Sequence, residues 1–176
     1  NSDYGKGLSD SFGKAFQALG GTVTISVPHE TGKADYSAEV ASMDSAGGDA
    51  MAVFGYVNQG GPGIMQASLD SGSFDKFILA DGMYGDDLLT NVEGDLTGTF
   101  GTVPGTDSKG AATYADMANA AGLKGSGPFT GESYDAAALL ILAMQSAGST
   151  DGAAIASNVM GAVSYTHLRA HETAYY

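Results

Sequence analysis

Apolar residues along this chain recur with two periods that take turns. Over residues 5–19, Leu8, Phe12, Phe16 and Leu19 return every three or four positions. That spacing predicts a helix with one apolar face, ended by Gly20-Gly21. "TVTISVP" (22–28) alternates instead, and puts Val23, Ile25 and Val27 on one side of a strand. Residues 34–48 return to the helical period through Tyr36, Val40 and Met43, with Gly47-Gly48 as terminator. "DAMAVFGYV" (49–57) is a continuous apolar run, the pattern of a strand buried on both faces. Next come a short helix over 61–72 with Pro62 in its first turn and a second buried strand in "KFILADG" (76–82). A short helix follows over 85–92, with Asp86 and Asp87 at its positive end, then a short strand within 98–105. Helices are predicted over 110–122 and 131–148. The second is apolar nearly all round, so it is expected to be central. A last helix starts after Asp151, its cap.

Strands and helices alternating without hairpins predict an α/β fold, a doubly wound and mostly parallel sheet with helices on both faces. Ligands of such sheets bind outside the carboxyl ends of the strands. The segments expected there are "GYVNQGG" and "ADGMYGDD". No strand precedes the first helix, although the first strand of a doubly wound sheet lies in its middle. The first central strand is therefore expected to be missing, leaving unpaired edges beside its place.

Composition narrows the partners. Twenty acidic residues face seven basic ones, for a net charge of −13. Scarce lysine and arginine argue against nucleic acid and against an anionic membrane surface. The longest apolar run, 136–144, is too short to span a bilayer, so no direct membrane insertion is expected. No cysteine is present, which excludes disulfides, thiolate metal sites and cysteine nucleophiles.

The motifs of catalysis are absent too. "GYVNQGGP" has the glycines of a phosphate loop and no lysine. No Gly-x-Ser-x-Gly elbow occurs, and "ADGMYGDD" lacks the alternation of a calcium loop. His29, after Pro28, is the one histidine outside residues 161–176 and reads as a loop residue. Nothing in these residues argues for an enzyme, which stays the least favoured alternative on a doubly wound α/β fold, and no cofactor or metal is expected.

"DYGKGLSDSF", "ETGKADYSAEV", "VFGYVNQGG", "ILADGMYGD" and "SGPFTGESYDAAALL" occur in an order and at spacings that resemble a known family. These are the type I periplasmic solute-binding proteins of ABC importers, branched-chain (leucine/isoleucine/valine) amino-acid group. The resemblance implies a Venus-flytrap architecture of two α/β lobes that close on a free amino acid and deliver it to a membrane permease. Residues 1–162 resemble the second lobe alone, truncated. A periplasmic location for the parent protein follows from the same likeness.

Three residues match ligand-contacting positions of that family: Tyr4 in "DYG", Tyr56 in "GYVNQ" and Asp81 in "LADG". Asp81 stands where leucine-binding members carry a glutamate that takes the ligand's α-ammonium, and it is one methylene shorter. Asn58, Gln59 and Tyr84 lie on the same rim as weaker candidates. The chemistry suits a zwitterion, because a carboxylate pairs with ammonium and phenols supply a hydroxyl with an apolar wall. By themselves, Tyr4 also reads as a surface aromatic, Tyr56 as a core aromatic and Asp81-Gly82 as a turn pair. The same scaffold also serves receptors for amides, urea or aromatic acids, and sensor ectodomains. The family holds the α-carboxylate mainly from the first lobe, so residues 1–162 are expected to keep only the ammonium end of a site.

In "GAVSYTHLRAHETAYY" (161–176), His167 and His171 stand four apart, a spacing that can hold zinc on a helix. Leu168 occupies the place where such motifs need glutamate. Residues 163–173 instead resemble a sequencing-library adapter translated in one reading frame. Residues 163–176 are accordingly expected to be a non-biological tail without function.

Overall fold

The computed structural model describes residues 2–105, 108–123, 125 and 127–172, with side chains up to residue 162. The chain forms two compact units, Asn1–Val103 and Pro104–Tyr176.

In the first unit, helix α1 (Asp3–Ala18) begins at Ser2, whose hydroxyl accepts the Gly5 N–H at 3.1 Å. Gly20, at φ 90°, follows it, as the glycine pair predicts. Helix α2 (Ser37–Ala46) buries Val40 and packs with Tyr36 and Met43. Strand β1 (Met51–Val53) leads into α3 (Gly61–Ser71), where Pro62 sits in the first turn. Strand β2 (Phe77–Leu79) ends at a 3₁₀ turn (Asp81–Met83), then α4 (Asp86–Asn91) and β3 (Phe100–Gly101) follow.

The sheet runs β1-β2-β3, all parallel, with Met51 opposite Phe77, Val53 opposite Leu79 and Ile78 opposite Phe100. Parallel strands joined by single helices are what the alternation of periods predicts. Met51, Val53, Phe77 and Leu79 share one face of the sheet and bury against Tyr36, Val40, Ile64 and Met65 of the α2–α3 side. Ser68 is a fully buried polar residue in this core. Its hydroxyl donates to the Phe74 carbonyl at 2.9 Å and accepts the Phe74 N–H at 3.1 Å, so burial leaves it satisfied.

Residues 22–28 correct one expectation. They form no strand, and among the described residues no backbone hydrogen bond joins them to another segment. A strand exists only as a member of a ladder, and the ladder beside this segment is vacant. The apolar stripe of α1 is left uncovered for the same reason. No residue of α1 is buried, and Phe16 and Leu19 are exposed.

The second unit contains α5 (Lys109–Ala120), α6 (Thr130–Ala147) and α7 (Gly152–Glu172). Ser108 caps α5 by accepting the Ala111 N–H at 3.1 Å, and Asp151 caps α7 through the Ala153 and Ala154 N–H groups. The rings of Tyr114 and Tyr134 join α5 to α6 at 5.2 Å. Helix α6 is not central. Leu140 and Ile141 are exposed and only Ala143 is buried, because this unit offers it helices and, among the described residues, no sheet. The backbone of α7 continues into the segment read as a tail. The side chains of His167 and His171 and residues 173–176 lie outside the described residues.

Candidate functional site at the carboxyl end of the sheet

Tyr4, Tyr56 and Asp81 come from three separate stretches of the first unit. Tyr4 lies in the first turn of α1. Tyr56 follows β1 by three residues, and Asp81 follows β2 by two, opening the 3₁₀ turn. Because β1 and β2 are parallel neighbours in register, the loops that follow them emerge side by side. The loops are also tied together: Val57 N–H donates to the Gly82 carbonyl at 2.8 Å.

The three side chains converge. The Tyr4 hydroxyl donates to Asp81 Oδ1 at 2.8 Å and accepts the Gly82 N–H at 2.9 Å. The Tyr4 and Tyr56 rings stack with centroids 4.7 Å apart and 25° between planes. Burial, together with the bond to Asp81, pushes the Tyr4 phenol up to about 12, while the Gly82 N–H pulls against that shift. The phenol therefore stays protonated at neutral pH and remains a donor to the carboxylate.

Only one oxygen of Asp81 is engaged. Oδ2 is not buried and makes no hydrogen bond to the described residues. The ion pairs among those residues are Lys6–Asp10 and Lys33–Glu39, so none of the described cations pairs with Asp81. A half-engaged carboxylate, fixed by a phenol and set beside two stacked rings, is suited to receive a small cationic or hydrogen-bond-donating group.

The weaker candidates are not part of this cluster. Asn58, Gln59 and Tyr84 are exposed; the Gln59 N–H donates to the Tyr56 carbonyl at 3.1 Å and the Tyr84 N–H to the Asp81 carbonyl at 2.9 Å, but no side-chain hydrogen bond or ring contact among the described residues joins them to Tyr4, Tyr56 or Asp81. Sequence reading missed Gly82. Its N–H orients Tyr4, and a Cβ there would stand 2.8 Å from the Tyr4 hydroxyl and 3.0 Å from the Tyr56 ring, and would meet the Gly55 carbonyl. The signal was the Asp-Gly pair, which reads first as an ordinary turn.

The chain is similar to known proteins. The family model described as periplasmic binding protein matches residues 1–174. The Leu/Ile/Val-binding protein homolog 1 of Brucella abortus (strain 2308) is 31% identical over 150 residues, covering 84% of this chain and 40% of the relative. The protein of the same name from Brucella abortus biovar 1 (strain 9-941) matches with the same figures. The chain thus spans about 40% of the length of these curated relatives.

Proposed function

The chain belongs to the periplasmic binding protein family, and from that premise we propose that it forms one lobe of a receptor for a free aliphatic amino acid. The observation that carries this reading is the open Oδ2 of Asp81, held beside the Tyr4–Tyr56 stack and paired with no cation among the described residues. An α-ammonium group bound there replaces water with a charge-assisted hydrogen bond. Tyr4, donating to Oδ1, keeps the carboxylate from rotating away. Tyr56 supplies an apolar flank. The α-carboxylate is met by a second lobe, and closure of the two lobes is the signal read by the permease of an ABC importer. The relatives' name supports a leucine-like ligand. The protein works in the periplasm as a binder and not as an enzyme. Residues 1–162 make up the lobe, and 163–176 are a tail with no role in it.

The reading is tested by calorimetry on a two-lobe protein that contains this chain. With L-leucine as ligand, Asp81→Asn should lower affinity about 100-fold, the usual cost of removing one partner of a buried charged pair. Unchanged affinity, or preference for a ligand without an ammonium group, overturns the role given to Asp81.

A further inference from the structure

The sequence contains two Asp-Gly pairs, Asp81-Gly82 and Asp151-Gly152. Aspartate before glycine is chemically labile, because glycine has no Cβ to keep the preceding side chain away from its nitrogen. At Asp81-Gly82 the reaction would run in two steps. The Gly82 nitrogen loses its proton to a solvent base and bonds to Asp81 Cγ. One oxygen of the protonated carboxyl group leaves as water, taking up a proton from solvent, and a cyclic imide results. Water then opens the imide at either carbonyl. Opening at the Asp81 α-carbonyl restores a carboxylate there and leaves the main chain running through Cγ, which is isoaspartate. One water leaves and one returns, and nothing is oxidised or reduced.

Tyr4 holds both reacting groups. Its hydroxyl accepts the Gly82 N–H at 2.9 Å and donates to Asp81 Oδ1 at 2.8 Å. One oxygen atom thus holds the proton that must leave the nitrogen and the carboxyl group that must turn toward it. A protonated phenol is a poor base, so it binds the N–H proton without removing it. The peptide plane between the two residues is pinned on its other side as well, where the Tyr84 N–H donates to the Asp81 carbonyl at 2.9 Å. Turning that plane toward Cγ breaks the bonds to Tyr4 and Tyr84 together.

Asp151-Gly152 has no such hold. Both residues are exposed. Asp151 Oδ1 accepts the Ala153 and Ala154 N–H groups, at 3.1 and 3.0 Å, and no described residue accepts the Gly152 N–H.

We propose that Asp81-Gly82 is a latent site of backbone isomerisation, and that Tyr4 keeps it closed through its two hydrogen bonds. The product retains its negative charge and gains one carbon in the main chain. The carboxylate is thereby displaced from the Tyr4–Tyr56 pair, and the site is lost with no change of mass or charge. Tyr4 protects the chain here, a role separate from any it has toward a ligand, and the inference does not rest on the amino-acid reading.

The test uses the full chain, kept warm at neutral pH and then digested with trypsin. Peptides 77–109 and 125–169 carry the two pairs. Isoaspartate has the mass of aspartate, so electron-transfer fragmentation locates it. In the folded chain it should accumulate at 151 at least about fivefold faster than at 81, the factor that one hydrogen bond contributes to a local opening. In urea the two rates should converge. Tyr4→Phe, which removes both bonds, should raise the rate at 81 about fivefold and leave that at 151 unchanged. Ser2→Ala removes the cap of the same helical turn and keeps the phenol, so it should raise the rate at 81 less than Tyr4→Phe does. Equal rates at 81 and 151 in the folded chain, or a difference that persists in urea, overturn the proposal, and neither comparison needs a variant. So does a Tyr4→Phe rate equal to that of the native chain, or a Ser2→Ala rate as high as that of Tyr4→Phe. No ligand enters the experiment, so its failure leaves the role of Asp81 toward an ammonium group to the calorimetry.

Discussion

The hydroxyl of Tyr4 lies 2.8 Å from Asp81 Oδ1, although the two residues are 77 positions apart. The bond fastens the first turn of α1 to the loop after β2, and the Gly82 N–H completes it from the other side. Replacing Tyr4 with phenylalanine removes a donor to the carboxylate and leaves the Gly82 amide without its acceptor. The expected loss is about 1 kcal/mol, because the pair is only partly buried. Hydrogen exchange at the Gly82 amide measures it directly, and exchange as slow as in the native chain would show that the bond contributes nothing.

The raised ionisation of Tyr4 has a pH consequence. The folded phenol holds its proton to about pH 12, whereas an unfolded tyrosine loses it near 10. Folding therefore retains a proton between these values, and the contribution is complete below pH 10 and lost as pH rises toward 12. An ultraviolet titration should show an ionisation step close to pH 12 that Tyr4→Phe deletes.

Gly82→Ala should damage the site without replacing any ligand-facing residue. The added methyl would overlap the Gly55 carbonyl and crowd both tyrosines. Forcing that overlap costs about 1–3 kcal/mol. It also separates the Tyr4 and Tyr56 rings, which near-ultraviolet circular dichroism reports. An unaltered aromatic signal would mean that the loop yields at no cost.

Ser68→Ala should destabilise the helix–strand connection after α3. It leaves both the N–H and the carbonyl of Phe74 without their partner inside the core. The cost is about 1–3 kcal/mol, as for an unsatisfied buried group. Faster amide exchange at Phe74, with β2 still protected, is the expected pattern.

The open edge of β1 predicts concentration-dependent self-association of the chain. Sedimentation over a tenfold range of concentration should show a rising average mass. A monomer throughout that range contradicts the prediction.

Much of the first unit was legible in the residue pattern. The helical stripe through Tyr36, Val40 and Met43, the two continuous apolar strands and, in the second unit, the cap at Asp151 are local properties, and local period and cap chemistry sufficed for them. The family motifs pointed to Tyr4, Tyr56 and Asp81, and the parallel register of β1 and β2 brings their loops together. Two other expectations depended on neighbours. "TVTISVP" has the alternation of a strand, and α6 has the composition of a central helix. Alternation makes a strand only where an adjacent strand offers hydrogen bonds, and apolar residues are buried only where another layer covers them. Neither condition is written in the segment itself. The same holds for Gly82: the need for a glycine arises from the Gly55 carbonyl and the Tyr4 hydroxyl, which approach it only after the chain has folded.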